Sequence, residues 1–188
     1  MQELLEKAER LALENRSKGF HCSESVFAAI NETLGIIDPE MVRIATGFHG
    51  GGGARRKDKE VDLTVFLEEV ASGRERRPPD QWPVEVTGHI CGALASGVMC
   101  IGLLFGRRKP TDDLTCPDEL ANELHRRFEE KFGTKLCREI RQKYVPISDN
   151  HTCEYVYQKG ARMAVELILS SPSWAERCPN PRLTAGDR

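Results

Sequence analysis

The sequence predicts an all-α fold: a single-domain bundle of about six or seven helices around a central helix rich in small residues. Three observations predict it. Apolar residues recur at helical spacing through most of the 188-residue chain. Strand-like alternation is nearly absent, and the one instance, at residues 83–86, is too brief to count. The third is residues 87–106, T-G-H-I-C-G-A-L-A-S-G-V-M-C-I-G-L-L-F-G, the longest weakly polar run, small in its first half and bulky in its second. As a helix this run sets Gly88, Gly92 and Ser96 on one stripe, four residues apart. Each helical glycine costs about 1 kcal/mol relative to alanine. Close approach of another helix, a cofactor or a second subunit would explain that cost. Cys91 falls beside the stripe, in the first turn when Thr87 is the N-cap.

The elements follow in order. Residues 2–18 form a first helix, with Leu4, Leu5, Ala8, Leu11 and Ala12 on its apolar side and Gly19 as its stop. A second helix begins near Cys22 or Ser23, runs through Val26, Phe27, Ile30 and Leu34, and closes at Gly35. A short third helix fits residues 39–45, with Pro39 at its first position. Four glycines, 50–53, then permit backbone shapes closed to other residues. They lack the G-x-x-x-x-G-K-[ST] pattern of a phosphate loop, and a tight pass beside a buried site is the expectation. Residues 54–87 are an excursion: one amphipathic helix ending at Gly73, then a proline-rich segment that cannot be helical. It is expected to be a solvated loop, with a lid or a dimer arm as the alternatives. Beyond the central run, a helix spans 117–132 and ends before Gly133. Thr134 caps a short helix carrying Cys137, Ile140 and Tyr144, and Pro146 breaks it. The last helix starts near residues 148–150 and runs to about 170. The tail, 172–188, is expected to be extended or loosely docked.

The chain carries 27 basic and 29 acidic residues, a formal charge of −2. That balance predicts no nucleic-acid partner and no anionic membrane surface. The amphipathic N-terminus lacks the apolar core of a signal peptide, and the central run is too short and glycine-rich for a membrane span. A soluble, cytoplasmic protein is expected.

Seven cysteines stand out: Cys22, Cys91, Cys100, Cys116, Cys137, Cys153 and Cys178. In a reducing compartment such residues serve as ligands, redox centres or core more often than as structural disulfides. Cys22, Cys91, Cys137 and Cys153 each fall at a predicted helix start, where free N–H groups and the helix dipole favour an anion and lower a thiol pKa. Cys116 also sits at a helix start. Cys100 lies nine residues after Cys91, about 180° round the helix, and is read as core. No pair forms C-x-x-C, so a shared site must be assembled from separate helices. Histidines accompany three of the four: His21, His89 and His151. Each is a ligand, a second donor behind a ligand or a base for the thiol, or simply a capping or surface residue.

Taken together, G-F-H-C-S-E-S-V, G-F-H-G-G-G-G, C-G-A-L-A-S-G-V-M-C-I-G-L-L-F-G, F-E-E-K-F-G-T-K-L-C-R-E-I and C-E-Y-V-Y-Q-K-G-A-R resemble the C_GCAxxG_C_C family of redox-active proteins, over most of residues 10–170. The resemblance implies that Cys22, Cys91, Cys137 and Cys153 are the signature cysteines and hence the metal-ligand candidates. Similar domains are fused to haem-binding segments in split-Soret cytochromes, which implies an iron–sulfur centre. This chain has no C-x-x-C-H, so covalent haem is not expected. The 54–87 insertion departs from shorter members. The resemblance thus points to an iron–sulfur electron-transfer protein with an unidentified redox partner, the Gly88, Gly92 and Ser96 face admitting the cluster. The alternatives are a metal-free thiol–disulfide oxidoreductase with Cys22 and Cys91 as its redox pair, and a zinc-stapled helical module. A homodimer through the Gly88, Gly92, Ser96 stripe is a further expectation.

Overall fold

The computed structural model describes residues 1–36, 39–71, 74–78, 81–148 and 152–169. The expected tail, His151, Cys178 and Gly73 lie outside that set. Within it the chain is predominantly α-helical. The helices are α1 (Gln2–Ser17), α2 (Cys22–Leu34), a 3-10 helix (Pro39–Gly51), α3 (Leu63–Ala71), α4 (Gly92–Phe105), α5 (Thr115–Phe132), α6 (Cys137–Tyr144) and α7 (Glu154–Leu169).

Two helices lie inside. In α2 nearly every residue from Ser23 to Asn31 is buried, and in α4 the first six residues, Gly92 to Gly97, are all buried. Around them α1 packs on α2 and α7, while α5 and α7 pack on α4. Small residues make those approaches close. A Cβ at Gly97 would stand 2.6 Å from Leu124 of α5 and 3.2 Å from Ala164 of α7, and one at Gly160 would stand 3.1 Å from Ala93. Phe27, Phe128 and Phe132 are fully buried in the main core, each worth roughly 1.5–3 kcal/mol relative to exposure.

The central helix starts later than its sequence pattern predicts. Gly88 has φ +74°, which no right-handed helix accepts, and Cys91 is the N-cap of α4. Residues 87–91 are instead non-helical and pinned on two sides. Thr87, Gly88 and His89 donate to the carbonyls of Gly53, Gly50 and Gly51, whereas Cys91 N–H donates to Lys135 O and the N–H groups of Cys137 and Arg138 donate to His89 and Gly88. The stripe therefore dissolves. Ser96 is wholly buried, its hydroxyl 2.6 Å from Ser23 O and 2.8 Å from Gly92 O, which fastens α4 to α2. At this face Gly92 and Ser96 pack against Cys22 and Ser23 of the same chain.

The insertion is also more ordered than the expected loop. Residues 83–86, too brief to count as a strand on alternation alone, contribute β2 (Val84–Val86), which pairs antiparallel with β1 (Ala54–Arg56) in the register Ala54–Val86, Arg55–Glu85, Arg56–Val84. With α3 this strand pair encloses a second small core of Phe66, Leu67, Trp82 and Val84. The Trp82 indole N–H donates to Arg77 O at 2.7 Å, and the Phe66 ring meets it edge-on. No helix among the described residues is long and apolar enough to cross a membrane.

Candidate functional site

Four helix starts meet at one pocket. Cys22 is the first residue of α2, Cys91 the N-cap of α4, Cys137 the first residue of α6, and Cys153 immediately precedes α7, its carbonyl accepting from Val156 and Tyr157. All four line the same cavity, and all four are free thiols. Its volume is about 50 Å³; a single water needs about 10–15 Å³ on the same measure, so the space suits an ion or a compact cluster and not a nucleotide.

Glycines make the thiols fit. A Cβ at Gly92 would lie 2.7 Å from Cys22 Sγ and 3.1 Å from Ser23 Cβ. At Gly51 (φ +82°) it would lie 2.7 Å from Cys137 Cβ and 2.6 Å from His89 N. The tetraglycine run is thus the close backbone pass beside a buried site that its composition predicts. Backbone donors aim at the sulfurs as well: the N–H groups of Gly50 and Ser23 at Cys22, and that of Ala93 at Cys91. Such N–H···S contacts favour sulfur that carries negative charge.

Their electrostatics reverse one sequence expectation. Helix starts predict lowered thiol pKa values, but every one of the four is raised, because burial costs the charged form more than the N–H groups and nearby cations return. Burial pushes Cys137 and Cys153 up to about 12. Cys22 is raised by burial despite Gly50, Ser23, Arg141 and Arg16. Cys91 is raised well above its ordinary value, by burial and then by the charges of Cys22, Cys137 and Cys153. Left to themselves the thiols stay protonated, and ionising one opposes ionising the next. A bound cation inverts that logic, since a coordinating thiol is deprotonated outright.

The rest of the lining is informative. Arg16, His21, His49, Arg141, Thr152 and Tyr157 supply the other polar groups, and among the described residues no Asp or Glu lines the space. The rings of His21 and His49 stand 4.3 Å apart. Burial lowers both, with His49 brought down to about 3. Thr152 Oγ1 is buried without a hydrogen-bond partner among the described residues, a hydroxyl left for whatever occupies the cavity. From the insertion, Leu67 and Val70 of α3 close one side.

Of the residues singled out in the sequence, Cys22, Cys91, Gly92, Cys137 and Cys153 come together, while Gly88 and Ser96 are not in the lining. His21 reaches the pocket and His89 is exposed. Cys100 is buried in the main core, its thiol raised by burial alone. Cys116, expected like the others to avoid structural disulfides, is disulfide-bonded, which takes it out of the thiol set. Arg141 and Tyr157 escaped the sequence reading although each stands four residues after a signature cysteine, on the same helical face.

Among the described residues the donor chemistry fits a thiophilic metal: four sulfurs, two neutral imidazoles, no carboxylate, an orphaned hydroxyl and a cradle that a single Cβ would fill. The sulfurs line the cavity without closing on a point, and no three His, Cys, Asp or Glu side chains among the described residues stand in a metal-holding arrangement. Comparison with known proteins adds one finding. Residues 84–167 match the model of the family described as "Putative redox-active protein (C_GCAxxG_C_C)", a segment containing Cys91, Cys137 and Cys153. No curated protein and no solved structure matches the chain. The family description concerns redox activity and names no metal. Cys22 precedes the matched segment and joins the other three through the fold.

Proposed function

We propose that the chain is a redox-active cysteine protein that binds an iron–sulfur cluster through Cys22, Cys91, Cys137 and Cys153 and serves electron transfer. One observation carries the reading: four thiols, distant in sequence, line one cavity to which no carboxylate among the described residues contributes. When bound, such a cluster supplies reversible one-electron chemistry. The chain's own contribution is to bring soft ligands together, to aim backbone N–H groups at them and to exclude bulk water. Loading requires the thiol side chains to turn inward and to give up their protons, so binding is predicted to release protons and to favour mildly alkaline conditions.

The metal-free alternative is weaker on the same geometry. Attack on a disulfide needs thiolate, and burial raises all four thiols. A purely structural zinc site would use the same ligands but leave the family's redox description without a carrier. Purification without air, followed by iron and acid-labile sulfide analysis, separates the three. Brown protein with both elements supports the proposal. Colourless protein with zinc supports the stapled module, and metal-free protein with a reversible two-electron thiol titration supports the oxidoreductase.

A further inference from the structure

The cavity that gathers the thiols is asymmetric in charge. Arg16 and Arg141 reach its lining, and among the described residues no acidic side chain does. Neither guanidinium takes part in an ion pair among the described residues. Each is nevertheless held in place. Arg16 Nη1 donates to Phe20 O at 2.8 Å, and Arg141 lies over the Trp82 ring, 4.9 Å from its centroid. Two like charges facing one small, largely apolar space repel each other while its contents are neutral. The repulsion turns to attraction when the contents are anionic.

We infer that Arg16 and Arg141 are the counter-charges of an anionic thiolate centre in this cavity, an inference that rests on the function proposed above. The charge balance is explicit. A divalent ion taking four thiols displaces four protons, and the ion with its four thiolates carries two negative charges where four neutral thiols carried none. Two guanidinium groups match them. They bind no metal and touch no reacting atom; they are positioning residues that act through the field they place on the sulfurs. Both already favour the charged form of Cys22, and Arg141 favours that of Cys137 and Cys153 as well. The insertion thereby gains a role. Trp82, from the small second core, fixes the Arg141 guanidinium by cation–π contact, so residues 54–87 contribute charge placement to the site.

Co²⁺ is a suitable probe, because thiolate ligation gives it intense sulfur-to-metal charge-transfer absorption and its affinity is measurable whether or not a cluster assembles. The full-length protein, reduced and without air, is titrated with Co²⁺ in competition with a chelator. Arg141→Gln and Arg16→Gln are each expected to weaken binding about tenfold and the double variant about a hundredfold, while Arg141→Lys and Arg16→Lys stay within about threefold of the wild type. A merely structural arginine would not be rescued by lysine, which keeps the charge and loses the planar group. Unchanged affinity in both glutamine variants, with charge-transfer absorption intact, overturns the counter-charge inference and leaves the thiolate centre standing. Absence of that absorption in the wild type overturns the thiolate centre and the inference with it. Circular dichroism screens each variant; should Arg141→Gln not fold, Arg16→Gln and the two lysine variants decide.

Discussion

A methyl group added at Gly92 would come within 2.7 Å of the Cys22 sulfur and 3.2 Å of Phe48 O. Gly92→Ala is therefore expected to cost roughly 1–3 kcal/mol by overpacking and to lower metal loading, because the displaced atom is a candidate ligand. Gly102, in the same helix, has nothing within 4 Å of its virtual Cβ, so Gly102→Ala should instead gain up to about 1 kcal/mol. Thermal melts of the pair, with metal content measured in parallel, check both. The histidines give a pH prediction. His49 falls from its ordinary 6.5 to about 3 through burial and the neighbouring His21. Its folded pKa is depressed, so its contribution to stability is fully present above pH 6.5 and is lost as pH falls from there toward 3. Urea midpoints of the metal-free protein should decline across that window, and His49→Gln should flatten the decline. An equally steep profile in the variant would assign the loss to other groups. The thiols respond oppositely: with Cys137 and Cys153 at about 12, their alkylation in metal-free protein should still be accelerating at pH 10, where an ordinary thiol has levelled off.

At the scale of elements, the insertion folds around its own core and its helix α3 sends Leu67 and Val70 to the thiol cavity. Trp82→Ala removes the edge-on contact with Phe66, the hydrogen bond to Arg77 O and the stack under Arg141. The expected result is selective: proteolysis within residues 54–87 and faster labelling of the cavity thiols, with the helical core intact by circular dichroism. Cooperative loss of all helicity would show instead that the insertion is integral to the main core. The strand pair of this insertion was not legible in the sequence, because each strand is three residues long and its partner lies some thirty residues away, so no local period records the pairing. The start of α4 was hidden for a related reason. Small residues from Gly88 onward read as helix, and only the hydrogen bonds to residues 50–53 and 135–138 show why 87–91 are not helical.

The whole molecule is a helical assembly whose inner helices, α2 and α4, are crossed at small residues and whose helix starts share one cavity. Much of this was readable from the chain. Apolar spacing gave α1, α2, α5, α6 and α7 to within a few residues at most boundaries, and Cys22, Cys91, Cys137 and Cys153 were each recognisable as helix-start residues. Spacing alone did not announce their meeting in space, which depends on four separate crossings; only the family resemblance implied it. The raised thiol pKa values were equally invisible, because burial is a property of the assembled fold and here outweighs the local N–H groups that the sequence does announce. The crossings themselves are testable: Gly97→Ala drives a Cβ to 2.6 Å from Leu124 and 3.2 Å from Ala164, and should lower stability by roughly 1–3 kcal/mol. The central claim, that four distant cysteines form one redox metal centre, is tested most directly by iron and sulfide content in a serine series made and handled without air. Wild type and Cys100→Ala should retain both elements, and Cys22→Ser, Cys91→Ser, Cys137→Ser and Cys153→Ser should each lose most of them. Iron and sulfide that are absent from the wild type, or that persist unchanged through all four serine variants, would contradict it.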